Sequence, residues 1–521
     1  MSKQSKLRQS RNNWKQKGIE RGKENGELRR EMKRLKMDRD RFKREAKSAR
    51  RAAKAALREA ATAKAALEQQ RQQSLAIPDK TTVVHIALLL FCVARIGLRA
   101  TSRVLRVMAP YLGLPKAPCA QTISNWTVRF SIVKMQAACA NKTFPEDGTH
   151  PSIWMMDQSI GLGSGKILSI LALPLRYHEH SFSAPRLQDV QCVAVSVADS
   201  WTGEDIAGFL TPLIEHHGSP SAFLKDGGTD LERAVTLLQE RGTISCPKIA
   251  DLSHIIANLL KHEYSEDPLY QTFMSACGQV SKNLKQTLLA CLAPPKVSTK
   301  ARFMNLHRLV RWAHQLLQHS RPGAAAVSSV LAKLRTKLDD LPACKRFIAQ
   351  FLRDASAMLQ CQKVLKNKGL SADTFSECKH FIKAIPEDSP IHQGFLAWGN
   401  EQLAVAAKLQ LENTGLPIST DPIESLFGVG KRLGIGQMKD AERIALRIPV
   451  FCGGTPVLED AKKVIQVSVK QQKSVTDDHD SLIKQRRDVL PHPGKLETLA
   501  RPPEQKNFQL TPNSVRIKLA A

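Results

Sequence analysis

Three acidic residues of this 521-residue chain stand where carboxylates can do chemistry: Asp157, Asp226 and Glu424. Asp157 closes the apolar run Ile153-Trp154-Met155-Met156, and Asp226 closes Ala222-Phe223-Leu224-Lys225. Glu424 follows Asp421-Pro422-Ile423 and precedes Ser425-Leu426-Phe427-Gly428. The first two contexts predict acids at the C-terminal ends of buried strands, the third an acid in the first turn of a helix. Brought together, three carboxylates form a negatively charged oxygen cage of the kind hard cations such as Mg²⁺ take. A pair of such ions can clamp the attacking and leaving oxygens of an in-line phosphoryl displacement. Each acid also has a plainer reading. Asp157 can cap a turn before Gly161, and Asp226 can serve a turn at Gly227-Gly228. Asp421, Pro422 and Glu424 fit an N-cap, N1 and N3 pattern, which would make Glu424 part of a capping box. Asp421 is the fallback ligand one turn earlier, and Asp199, Asp230 and Asp251 rank below the three.

The elements that would position these acids have an α/β pattern. Strands are predicted at 153–157, 167–174, 190–198, 222–226 and 248–252, with helices at 203–216 and 230–241. That order makes a mixed five-stranded sheet with helices packed against it. Acids at strand ends then face a crevice. Residues from about 265 to 410 read as helix, broken at Pro294-Pro295, Pro322-Gly323, Pro342 and Pro386. Glu424 would sit on the first helix after that block. Trp398 within it is a core residue or, less simply, a platform for a flipped base.

The charge points to a polyanion. Lys and Arg number 78 against 48 Asp and Glu, a formal net charge of +30 and a pI near 9.9. Nucleic-acid phosphate is the partner such an excess suits. Residues 1–75 carry 24 basic and nine acidic residues, about half of the excess. Leu28, Leu35, Phe42, Ala49, Ala56 and Ala63 recur there every seven residues. Met32, Ala46, Ala53, Ala60 and Leu67 fill a second seam that Arg39 interrupts. This is a long basic helix with a coiled-coil pattern, weak where its seams are alanine.

Residues 100–130 fit a helix-turn-helix, with a Gly-containing turn at Gly113-Leu114-Pro115 and a second helix from about Cys119. Ile123, Trp126 and Phe130 give that helix a core face. Gln121, Thr122, Ser124, Asn125 and Arg129 are left outward, with side chains suited to base edges and phosphates.

The eleven cysteines are scattered, with no Cys-x-x-Cys pair, and Cys378-Lys379-His380 is too isolated for a zinc site. The N-terminus has no apolar core of a signal peptide, and the longest apolar run, 83–94, is too short to span a bilayer. A cytoplasmic, nucleoid-associated protein with no membrane partner is expected.

In order and spacing, residues 95–445 resemble a DDE transposase of the kind encoded by bacterial insertion sequences. The resemblance implies a ribonuclease H-like catalytic core, with Asp157, Asp226 and Glu424 in the three acid positions. It also implies an all-α insertion before the Glu helix. Asp251-Leu252-Ser253-His254 is similar to an Asp/Cys-x-x-His element found after the second acid in several such families, which makes Asp251 and His254 accessory positions. Lys431, two turns beyond Glu424, resembles the Lys of a Tyr-Arg-Glu-Lys signature, but Pro417 and Thr420 stand where that signature has Tyr and Arg. Lys431 is carried over only as a DNA-backbone contact.

The resemblance implies one or two Mg²⁺ or Mn²⁺ ions, cleavage at transposon ends, and attack of the freed 3′-hydroxyl on target DNA. The partner is then double-stranded DNA, both ends and target, with a homodimer or larger synapse. The alternatives are a non-catalytic DNA-binding regulator derived from a transposase and a structure-specific nuclease of the same fold. The expected organisation is a basic arm over 1–76, a helix-turn-helix domain over 77–145 and the first part of the core over 150–264. The helical insertion follows over 265–412, the last part of the core over 413–452, and a polar, basic, largely extended tail over 453–521.

Overall fold

In the computed structural model, which describes residues 3–72, 79–140, 149–160, 165–175, 182–297, 302–319, 329–432, 441–476, 494 and 508–510, the apolar runs of the middle of the chain form a sheet. The chain divides into two units, Met1–Pro78 with Pro110–Pro115, and Asp79–Ala109 with Lys116–Ala521.

The first unit contains one 70-residue helix, α1 (Lys3–Gln72). Its composition explains it: Ala, Glu, Lys, Arg and Gln all lose little on entering a helix. The heptad residues Leu28, Met32, Leu35 and Phe42 remain more than half exposed.

In the second unit, α2 (Lys80–Cys92), α3 (Leu98–Met108) and α4 (Ala120–Ala140) precede the sheet. Asp79 caps α2 by accepting the Thr82 amide at 2.8 Å. The sheet is built from β1 (Thr149–Ile160), β2 (Lys166–Pro174), β3 (Gln191–Ala198), β4 (Ser219–Lys225) and β5 (Lys248–Ala250), with α5 (Gly203–His217) and α6 (Thr229–Glu240) between strands. β2 runs antiparallel to both β1 and β3, while β4 and β5 pair parallel outward from β1. This mixed sheet is consistent with a ribonuclease H-like core.

A sixth strand, β6 (Phe508–Leu510), adds to β3, so the sheet order is β5-β4-β1-β2-β3-β6 and the five-stranded expectation is corrected. β3 would otherwise be an open edge, and the chain's own C-terminal region covers it.

Period-two alternation sorts the two faces. Trp154, Met156, Leu168 and Ile170 pack against α5 and α6 in one buried cluster. Ile153, Met155 and Asp157 point to the opposite face.

After β5 the described chain is helical through α7 (Leu252–Tyr264), α8 (Pro268–Lys285), α9 (Arg302–His319), α10 (Val330–Arg335), α11 (Lys345–Lys368), α12 (Ala372–Ile382) and α13 (Pro390–Lys408). An aromatic core of Tyr264, Tyr270, Phe273, Phe347 and Phe351 holds this block together. Trp398 is buried in it against Phe395, with ring centroids 5.6 Å apart, so the core reading describes it. The break at Pro322-Gly323 lies outside the described residues.

α14 (Asp421–Arg432) then returns to the sheet beside β1, followed by α15 (Ala441–Ala445), α16 (Leu458–Gln466) and α17 (Val469–Thr476). The extended-tail expectation is therefore corrected for residues 458–476. Ala461 and Val464 bury one face of α16 against α2 and α4. Phe451 stacks on Phe91 at 5.6 Å, and the His85 ring bonds the Pro456 carbonyl at 2.9 Å. Most of the remaining tail, including prolines 491, 493, 502, 503 and 512, lies outside the described residues.

Candidate active site

Asp157 is not the last residue of its strand, as the apolar run suggested. The antiparallel ladder to β2 continues past it, pairing Asp157 with Ser169 and running on to Ile160. The parallel ladder to β4 stops one residue earlier, at Met156 opposite Lys225. Asp157 and Asp226 are thus the next residues on two adjacent parallel strands, side by side where the pairing ends.

The electrostatics register that closeness. Burial first, and then the Asp226 carboxylate, push Asp157 up to about 7. One oxygen of Asp157 accepts the Gln158 amide at 2.6 Å. Asp226 accepts the Gly228 amide at 3.0 Å, so it does form the predicted turn while keeping a carboxylate beside Asp157. A Cβ on Gly228 would stand 2.9 Å from that same Asp226 oxygen.

Glu424 is delivered by α14. The cap is Thr420, whose carbonyl accepts the Glu424 amide at 3.2 Å, and not Asp421. The Asp421 amide is taken by the Ser419 hydroxyl at 3.3 Å, which leaves no capping-box role for the Glu424 carboxylate. Asp421, the fallback ligand, is instead paired with Lys366 at 2.6 and 2.8 Å. Burial, then Asp251 and Asp421, raise Glu424 above the usual carboxylate range. Lys431 donates to Ser159 at 2.5 Å. Ser159 is two residues beyond Asp157 and hence on the same face of β1, so the Glu424–Lys431 side of α14 is turned toward that strand. Lys431, expected to contact a DNA backbone, thus spends one donor on a bond within the fold.

Asp251 and His254 tie the parts together. Asp251 is 1% exposed and caps α7 through the His254 amide at 2.9 Å. Its other oxygen accepts from the Thr420 amide at 2.8 Å and the Thr420 hydroxyl at 3.1 Å. The start of α7 is thereby fastened to the start of α14, reinforced by the Leu252 amide on the Ile418 carbonyl at 2.9 Å. These bonds hold Asp251 below the usual carboxylate range despite its burial. His254 hydrogen-bonds Asp251 through Nδ1 at 3.0 Å and turns Nε2 toward Asp226 at 3.9 Å. The hydrogen bond it donates to Asp251, with Asp226 and Asp157 nearby, pushes His254 up to about 9, making it a cation at neutral pH.

The residues present suit a hard divalent cation in their chemistry. Asp157 and Asp226 offer paired carboxylate oxygens, and Mg²⁺ is commonly held by one or two carboxylates with water and substrate phosphate completing its shell. Across the ladder from Asp157, and so on the same face, the buried Ser169 hydroxyl has no hydrogen-bond partner among the described residues. That polar vacancy suits a hydrated ion better than an apolar ligand. Among the described residues, no group of three or more His, Cys, Asp or Glu side chains is arranged to hold a metal by itself.

No family model and no curated protein matches this chain. Among solved structures it is similar to the Drosophila P element transposase strand transfer complex, with 11% identity and a TM-score of 0.40. The likeness covers 72% of this chain and 91% of that one.

The helix pair expected to read DNA departs from its prediction. Eleven residues separate α3 from α4, against the three or four of a compact helix-turn-helix. The segment leading into α4 is tied to α3 by the Ser102 hydroxyl on the Pro118 carbonyl at 2.8 Å. α4 packs against β3 and α16, which buries Trp126, Val128 and Phe130. Arg129 donates to Gln472 of α17 at 2.8 Å, and Ser124 accepts from Arg447 at 3.5 Å. Gln121 donates to Asn125 at 3.0 Å, one turn on, and Cys119 bonds the Thr122 hydroxyl at 3.2 Å. Ser124 and Arg129, expected to face outward, thus each hold a bond to the 441–476 region that folds back over α4.

Proposed function

We propose that this chain is a DNA transposase that cleaves at transposon ends and transfers the resulting 3′-hydroxyl to target DNA. The observation that carries the reading is the adjacency of Asp157 and Asp226 at the end of the β1–β4 ladder, with Glu424 on a helix that packs beside β1 and is fastened by Asp251. Asp157 and Asp226 would hold one or two Mg²⁺ or Mn²⁺ ions, with Glu424 completing the set. When bound, such ions stabilise charge on the attacking and leaving oxygens of a phosphodiester. The chain's own residues do the positioning. Asp157 and Asp226 fix the point of attack, and the His254 cation offsets the charge of the pair. The basic balance of the chain supplies the attraction for DNA.

The reading is tested by Mg²⁺-dependent cleavage and joining of DNA carrying the element's ends, comparing wild type with Asp157→Asn, Asp226→Asn and Glu424→Gln. Each variant is expected to bind DNA and fail to cleave. Full activity in all three while DNA binding persists would overturn the assignment. Cleavage without joining, indifferent to end sequence, would identify a structure-specific nuclease instead.

A further inference from the structure

We infer that a groove on the flank of α14 binds the phosphodiester backbone of a DNA strand, an inference that rests on the DNA reading above. The groove encloses about 480 Å³ and is walled by Arg95, Arg186, Asp421, Ser425 and the Gly453-Gly454 segment. Asp421 and Ser425 are one turn apart on α14 and bracket Glu424 in sequence. The groove therefore runs along the flank of the helix that presents Glu424.

Its charge suits an anion. The one carboxylate among those walls, Asp421, is already neutralised by Lys366 at 2.6 and 2.8 Å. Arg95 and Arg186 are exposed, and neither guanidinium has an ion pair among the described residues. Two unspent guanidiniums over one groove suit phosphate oxygens, which their planar donor forks match in pairs.

The backbone at Arg95 is the second observation. α2 ends with the Ala94 amide on the Leu89 carbonyl at 3.1 Å and the Ile96 amide on the Leu90 carbonyl at 3.0 Å. Arg95 between them has φ 54, the left-handed conformation that glycine adopts freely and a side-chain-bearing residue resists. Helix ends of this kind usually carry glycine. An arginine there is unfavourable for the backbone and places a cation on the groove, which is the mark of a side chain kept for use.

That conflict gives the test opposite signs. Binding of a fluorescent duplex to the full chain is measured over a range of salt for wild type, Arg95→Gly, Arg186→Gln and the double variant. Each single change is expected to reduce the slope of log K against log salt by about 0.9, one phosphate contact's worth, and the double change by about twice that. Arg95→Gly is also expected to raise the melting temperature. An unchanged slope in the double variant overturns the groove assignment, as does a lowered melting temperature for Arg95→Gly without a change in slope. If wild type itself fails to bind and cleave DNA, the functional reading falls with it. If wild type does both and only the variants' slopes stay unchanged, the groove alone is wrong.

Discussion

Gly228 shows how closely the residues around the acids are fitted. Its backbone torsions, φ −65 and ψ 130, are open to any residue, so glycine is not required there for conformation. It is required for space, because a Cβ would meet the Asp226 carboxylate at 2.9 Å. Gly228→Ala is therefore expected to keep the fold and melting temperature near wild type while displacing Asp226. A single-turnover cleavage assay should show a loss of at least tenfold, on the order of what small misplacements of reacting groups cost. The positions of Asp157 and Asp226 were legible in part: each acid visibly interrupts an apolar run, but Asp157 lies inside its strand rather than at its end. The orphaned hydroxyl of Ser169 was not, since its meaning comes from lying across the ladder from Asp157, and register is not written in either strand alone.

Among the elements, α14 depends on a clamp formed far away in sequence. Asp251 and Thr420 are 169 positions apart and meet in a buried pair of hydrogen bonds. Asp251→Ala would remove the cap of α7 and leave the Thr420 amide buried without a partner, a loss of about 2–4 kcal/mol. Urea denaturation should show that loss, and Thr420→Val should show a smaller one of about 1 kcal/mol because the amide bond survives. An unchanged midpoint in Asp251→Ala would mean that the clamp does not hold α14. The sequence carried Asp251-Leu252-Ser253-His254 as a motif without saying what it fastened. The same blindness explains α16, β6 and the bond of Arg129 to α17, all of which depend on where the C-terminal region returns.

Across the whole molecule, charge and an open helical seam set the expected behaviour with DNA. α1 carries 15 of the net +30 charges, and its heptad residues stay exposed in the single chain. Pairing with a second copy would cover them. Sedimentation of the full chain is expected to show self-association that Leu35→Glu with Phe42→Glu abolishes. A wild-type chain that sediments as a monomer at all concentrations would remove α1 as the pairing element. Among the described residues no helix is long and apolar enough to cross a membrane.

The central claim, a cation site at Asp157 and Asp226, has a direct thermal test with a defined sign. His254, raised to about 9, stabilises the metal-free fold below its ordinary pKa near 6.5, and that contribution is lost as pH rises through 9. Asp157 is raised to about 7, so ionising it costs the metal-free fold stability as pH climbs from about 4 to 7. A bound cation opposes that cost only once Asp157 is ionised. The melting temperature of the metal-free protein should therefore rise on adding Mn²⁺ at pH 8, rise much less at pH 5.5, and not respond at either pH in Asp157→Asn/Asp226→Asn. An equal rise at both pH values, or an undiminished rise in the double variant, would contradict a cation site built on these two acids.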